Sequence, residues 1–194
     1  MDKIGVFLDR DGTISEEVGY INHPSRLQVF PWAAQAIRLL NEKGLIVIVV
    51  TNQAGVARGY FREELVLEVH QRLRDELIQA GAFLDAIYYC PHHPSAGDPP
   101  YRRDCDCRKP RTGMLRRAVA EFGIDLSRSF VVGDRYGDIE LAYNAGAHSI
   151  FLLSGYGLGE YEYQRQNWHS QPEWIAKDLL EACQIILQLV GIGS

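Results

Sequence analysis

Asp9 and Asp11 stand two residues apart in Asp9-Arg10-Asp11-Gly12-Thr13, and the glycine lets the turn aim both carboxylates at one point. One such group can attack phosphorus while the other handles a proton, and both can help hold Mg²⁺. Taken alone, the pattern also fits an acidic loop cap with a turn glycine. Three further stretches weigh against that bland reading. Thr51-Asn52 offers a hydroxyl and an amide that can hydrogen-bond phosphate oxygens. Lys109 offers an ammonium that neutralises a transferring phosphoryl group. Gly133-Asp134 and then Asp138 add carboxylates. Asp134 can complete a magnesium site, while Asp138 either joins it or caps the helix that follows.

A second cluster suits a softer metal. Cys90-Pro91-His92 and Cys105-Asp106-Cys107 give C-x-H, a twelve-residue gap, then C-x-C. Three thiolates and one imidazole make a closed tetrahedral zinc site of the structural kind, able to stiffen a loop that lacks secondary structure of its own. Spacing alone does not separate His92 from its neighbour His93. The loop, at about residues 90–107, runs directly into Arg108-Lys109-Pro110. Clamped by zinc, it presents two cations in a fixed place, and the planar fork of Arg108 suits phosphate oxygens. Cys183 has no such companion and reads as a packed core thiol. His23, His70, His148 and His169 are isolated and are read as carrying no chemistry.

These residues need a scaffold, and the sequence supplies an alternating one. Short β-branched runs read as buried strands at residues 4–8, 45–50, 86–89, 130–132 and 149–153. Helical spacing fills the gaps. One helix starts at Pro31, with Ala33, Ala36, Ile37 and Leu40 on one face, and stops at Gly44. Others cover about 62–80, 114–122 and 139–144, and a last one, about 172–190, is expected to pack on an edge of the sheet. Strands buried on both faces and alternating with helices predict an α/β fold, a doubly wound parallel sheet. Both acidic motifs then fall at the carboxyl ends of strands, where open parallel sheets bind ligands. Residues 12–30 and 91–111 break the rhythm as long loops, which in a compact domain are usually functional.

Bulk properties set outer limits. At 194 residues the chain is expected to form one domain, 1–194. A net charge of −5 and the absence of a basic stripe argue against nucleic acid as a partner. The longest apolar run, Leu45 to Val50, is far too short to cross a bilayer. No targeting segment is visible after Met1, so the expected location is cytoplasmic. In that reducing compartment clustered cysteines point to metal rather than disulfides.

The order DxDGT, apolar-TN, Lys, GDxxxD resembles the four-part signature of the haloacid dehalogenase superfamily, over about residues 4–153. The resemblance implies a Rossmann-like core and a phosphatase that works through an aspartyl-phosphate. It makes Asp9 the nucleophile and Asp11 the acid that protonates the leaving oxygen and the base that activates water. Thr51 and Lys109 then stabilise the phosphoryl group. The side chains of Asp9 and Asp134 and the backbone carbonyl of Asp11 hold catalytic Mg²⁺, with Asp138 open as a further ligand, and Zn²⁺ is structural. A zinc loop just before the lysine is similar to that of two phosphatase families, those of heptose bisphosphates and of histidinol phosphate. Gly19-Tyr20-Ile21 and Thr51-Asn52-Gln53-Ala54-Gly55-Val56-Ala57-Arg58-Gly59 resemble the heptose family more closely. That implies substrate contacts from Glu17, Val18, Gly19 and Tyr20, from Thr51, Asn52, Gln53 and Ala54, and from Arg108, Lys109 and Arg135. It also implies a small sugar phosphate as substrate; a monomer is expected, and a chain of this length leaves little room for a separate cap domain over the site. The competing reading from another class is a zinc-stabilised binding protein that has lost catalysis; Asp9, Asp11, Lys109 and Asp134, all retained, argue against it.

Overall fold

The computed structural model describes residues 3–191. Six strands form one parallel sheet in the order β3-β2-β1-β4-β5-β6. They are β1 (Gly5–Leu8), β2 (Ile46–Asn52), β3 (Ala86–Cys90), β4 (Phe130–Gly133), β5 (His148–Leu152) and β6 (Trp174–Ala176). The helices are α1 (Ala33–Glu42), α2 (Glu63–Gln79), α3 (Gly113–Phe122), α4 (Tyr136–Ala145), α5 (Gly157–Gln164) and α6 (Leu179–Gly191). Strand side chains alternate between two cores, as a pleated sheet requires. Val6, Leu8, Val47, Val49, Val132 and Ile150 face α1, α2 and α6. Phe7, Ile48, Val50 and Val131 face α3 and α4. Each of these fully buried aliphatic or aromatic side chains contributes about 1.5–3 kcal/mol, so central β1, covered on both faces, is a rigid base for whatever follows it.

Five of the strands lie where the apolar runs put them. The sixth was hidden inside the last expected helix, and this is a correction. Residues 174–176 make the edge strand, and only Ala176 of the three is buried. The helix begins at Leu179 and touches the edge strand β6 as well as β4 and β5. Its Leu179, Ala182, Cys183 and Ile186 lie on a sheet face within the main core, where α6 packs beside α1. Nor did apolar spacing mark α5, since Gly157 is its only buried residue. Among the described residues no separate cap domain covers the carboxyl edge of the sheet.

The first long loop is more ordered than expected. Ser15 bridges to both Asp11 and Val29, and the Arg10 carbonyl accepts from the backbone amides of Ile14 and Ser15. The segment is thereby folded back over the end of β1.

Candidate active site

β1 and β4 are neighbours, so the residues that follow them meet. Asp9 leaves β1 and Asp134 leaves β4, with Asp138 one turn into α4. Carboxylate oxygens of all three lie within 4.8 Å of one another. Lys109, buried, sits among them, its Nζ 3.0 Å from Asp9 Oδ2 and 2.6 Å from Asp138 Oδ1. Burial alone would drive its proton off, but Asp138 and Asp9 outweigh it and hold the ammonium charged. Asp138 also accepts from the Arg135 backbone amide at the start of α4. Both its oxygens are therefore engaged, one by the lysine and one by the helix N-terminus.

Asp134 is in a different state. The Tyr156 amide donates to its Oδ2 at 2.8 Å, while Oδ1 is buried without a partner. Burial first, then the charges of Asp9 and Asp138, push its pKa up to about 8. Glycine makes the space around it: a Cβ at Gly12 would fall 2.1 Å from Asp134 Oδ2, and one at Gly155 2.2 Å. Both glycines also have positive φ, a backbone state that L side chains rarely adopt. An unsatisfied carboxylate oxygen among converging carboxylates is what a hard divalent cation requires, so this donor set fits magnesium.

Asp11 points elsewhere. Arg10 donates to both its oxygens, at 3.0 and 2.7 Å, and Gln53 Nε2 donates to Oδ2 at 3.1 Å. Gln53 Nε2 also donates to Thr51 Oγ1 at 3.0 Å, tying the end of β2 to the same network. Asn52 does something separate. Its amide accepts from Lys109 N at 3.0 Å and donates to Lys109 O at 3.2 Å. A side chain thus imitates a neighbouring strand and latches the lysine segment to β2.

These groups floor a cavity of about 700 Å³. Glu17, Gly19, Tyr20, Ala54 and Arg108 line it, as do Asn52, Gln53 and Arg135. Val18 does not; it packs against the main core instead. Glu17 accepts from the Gly19 amide, and burial raises its pKa, with the Gly19 bond opposing and the charges of Asp11 and Asp9 adding. Tyr20 is held edge-on against Tyr60, ring centres 4.8 Å apart.

The far wall was not foreseen. Tyr156, Glu160, Gln164, Asn167 and Trp168 come from α5 and the residues on either side of it. Glu160 takes Arg135 Nε at 2.6 Å and the Tyr136 amide at 2.8 Å, while the Arg135 guanidinium lies 4.5 Å over the Tyr156 ring. Arg10 and His70 were also missed, although Arg10 stands in the acidic motif itself. Both are buried polar residues, which hydropathy reading passes over.

Beside the cavity, the thiols converge. Cys105 Sγ lies 3.5 Å from Cys90 Sγ and 3.4 Å from Cys107 Sγ. His92 Nδ1 lies 3.7 Å from Cys90 Sγ and 3.4 Å from Cys107 Sγ. Ligands at zinc distances span a tetrahedron with edges of about 3.7 Å, so the set fits that ion. Geometry also separates the two histidines. His93 Nδ1 accepts from the amides of Ser95 and Ala96 and its Nε2 meets Arg58, away from the thiols. Arg108 is tied to this loop through a bond from Nη1 to the His92 carbonyl at 3.1 Å.

Known proteins resemble this chain. A family model described as HAD-hydrolase-like matches residues 106–182. The D-glycero-D-manno-heptose-1,7-bisphosphate 7-phosphatase of Thermosynechococcus vestitus is 44% identical, covering 96% of this chain and 96% of that one. The D-glycero-beta-D-manno-heptose-1,7-bisphosphate 7-phosphatase of Photorhabdus laumondii is 44% identical over 71% of this chain and 73% of its own. The crystal structure of the D,D-heptose 1,7-bisphosphate phosphatase of B. bronchiseptica, complexed with magnesium and phosphate, superposes with a TM-score of 0.83. It is 30% identical and covers 95% of this chain and 98% of that one.

Proposed function

From the premise that the chain belongs to the D-glycero-D-manno-heptose-1,7-bisphosphate 7-phosphatase family of haloacid dehalogenase-like hydrolases, we propose that it removes the 7-phosphate of that sugar with Asp9 as nucleophile. The observation that carries the reading is the Asp9 carboxylate held 3.0 Å from the buried Lys109 ammonium, at the floor of a polar cavity. An Asp9 oxygen bonds to phosphorus as the bond from phosphorus to the sugar oxygen breaks, and Asp11 gives that oxygen its proton. Asp11 then takes a proton from water, whose oxygen attacks the phosphorus of the aspartyl-phosphate and restores Asp9. Lys109 and Thr51 offset the negative charge on the transferring group.

Asp9, Asp134 and the Asp11 carbonyl would hold magnesium, which supplies further positive charge to the phosphoryl oxygens. Asp138 serves as the lysine's counter-ion and as a helix cap. Glu17, Gly19, Tyr20, Arg108 and Arg135 face the sugar and its second phosphate, in a monomer with no second chain at the site.

Turnover of the α and β heptose 1,7-bisphosphates and of histidinol phosphate, with and without Mg²⁺, tests the assignment. A heptose bisphosphate should lead histidinol phosphate in kcat/KM by at least about 100-fold, since a site built for hydroxyls rejects what cannot pair with them. A preference for histidinol phosphate would overturn the substrate and leave the chemistry standing.

The Cys90, His92, Cys105 and Cys107 set would hold zinc and thereby order the loop. The two cations after it are anchored differently: Arg108 bonds to the loop at His92, whereas Lys109 is latched by Asn52. Loss of zinc, by chelation or in Cys105→Ser, should therefore raise KM at least about 10-fold and lower kcat less, with a clear fall in melting temperature. Elemental analysis alongside steady-state kinetics checks this. A variant without zinc and with unchanged KM would contradict it.

A further inference from the structure

Arg10 is 1% exposed, and every arm of its guanidinium is assigned. Nε and Nη2 go to the two oxygens of Asp11, and Nη2 also reaches Gln53 Oε1 at 3.0 Å. The remaining arm, Nη1, lies 3.1 Å from Nε2 of His70 on α2. A guanidinium only donates, so the imidazole nitrogen accepts, and the ring is neutral with its proton on Nδ1. Burial, then the charges of Arg10 and Arg74, lower the His70 pKa to about 3 and keep it in that form. The ring is itself braced edge-on by Tyr89, centres 5.4 Å apart.

We propose that His70 is a positioning residue for the reaction, acting on Asp11 through Arg10. Two parallel bonds from one planar fork set the plane of the Asp11 carboxylate, and His70 holds the opposite side of that fork. Without an acceptor there, Nη1 is a buried charged donor left unmade, and the guanidinium turns to find one. Asp11 turns with it. A displacement of about 1 Å in a reacting group costs on the order of 100-fold in rate.

The inference rests on the reading of Asp11 as acid and base, and the experiment separates the two. His70→Met keeps bulk and removes the acceptor, His70→Gln restores an acceptor oxygen, and Asp11→Asn is the control. With a heptose bisphosphate and Mg²⁺, H70M should lose about 10- to 100-fold in kcat, with KM within about threefold. A burst should appear as the aspartyl-phosphate waits for water, and H70Q should recover most of the rate. Wild-type kcat in H70M, or H70Q no better than H70M, would overturn the proposal. So would nitrogen NMR of the wild-type imidazole showing a protonated Nε2, an observation independent of whether any variant folds. If D11N keeps full turnover the reading of Asp11 fails; if D11N is dead while H70M is unchanged, only the role of His70 fails.

Discussion

Asp9→Asn should lower kcat for phosphate release by more than about 10,000-fold, because an amide cannot form the acyl phosphate that the proposed route needs. The same change should not destabilise the metal-free protein. Asp9 is one of three crowded carboxylates, and its charge is the second cause of the raised pKa of Asp134. Removing it relieves repulsion while Lys109 keeps Asp138 at 2.6 Å. Melting curves taken without metal should show D9N at or above the wild type. Appreciable turnover in a correctly folded D9N would sink the nucleophile assignment.

Lys109→Met should damage both properties. Activity should fall about 100- to 1,000-fold with the loss of a preorganised cation beside the transferring group. Stability without metal at pH 7 should fall by about 3–5 kcal/mol, since Asp9 and Asp138 are left buried and unpaired. The pH dependence follows from the carboxylates. Burial already raises Asp138, with Lys109 opposing, to about 6, and removing the lysine raises it further. The folded variant then binds more protons than its unfolded chain, so its stability relative to wild type recovers as pH falls from 7 towards 5. Urea titrations at the two pH values measure this. A constant deficit would mean that packing, and not charge, is what Lys109 supplies.

The chain shows plainly what recurs with a period and conceals what does not. Val6 to Leu8, Val47 to Val50 and Phe130 to Val132 are apolar runs because both faces of those strands are covered, and so they were readable. Residues 174–176 alternate partial, exposed and buried, as an edge strand of that length does, which leaves no run to detect. Tyr161 of α5 and Trp168, just beyond it, pack with Phe151 as a cluster of rings. That helix is held by tertiary contact and has no apolar stripe of its own. Among site residues, spacing picked out the carboxylates, which glycine punctuates, and the paired cysteines with the lysine that follows them. Glu160 and His70 act by touching other side chains, and such contacts exist only once the chain is folded.

The placement of β1 has a consequence for how the molecule comes into being. As the chain leaves the ribosome, β1 can pair with β2 and then β2 with β3, using only the first 90 residues. Its other side waits for β4; Gly5 and its partner Ser129 are 124 residues apart. Through that interval Val6, Phe7 and Leu8 present an unpaired apolar edge, a template for wrong partners. Lys109 and Asp134 have not yet been made for much of the same time. The nascent protein thus carries Asp9 long before Lys109 and the two carboxylates that surround it, and the site stays incomplete until the seam beside Asp9 has closed.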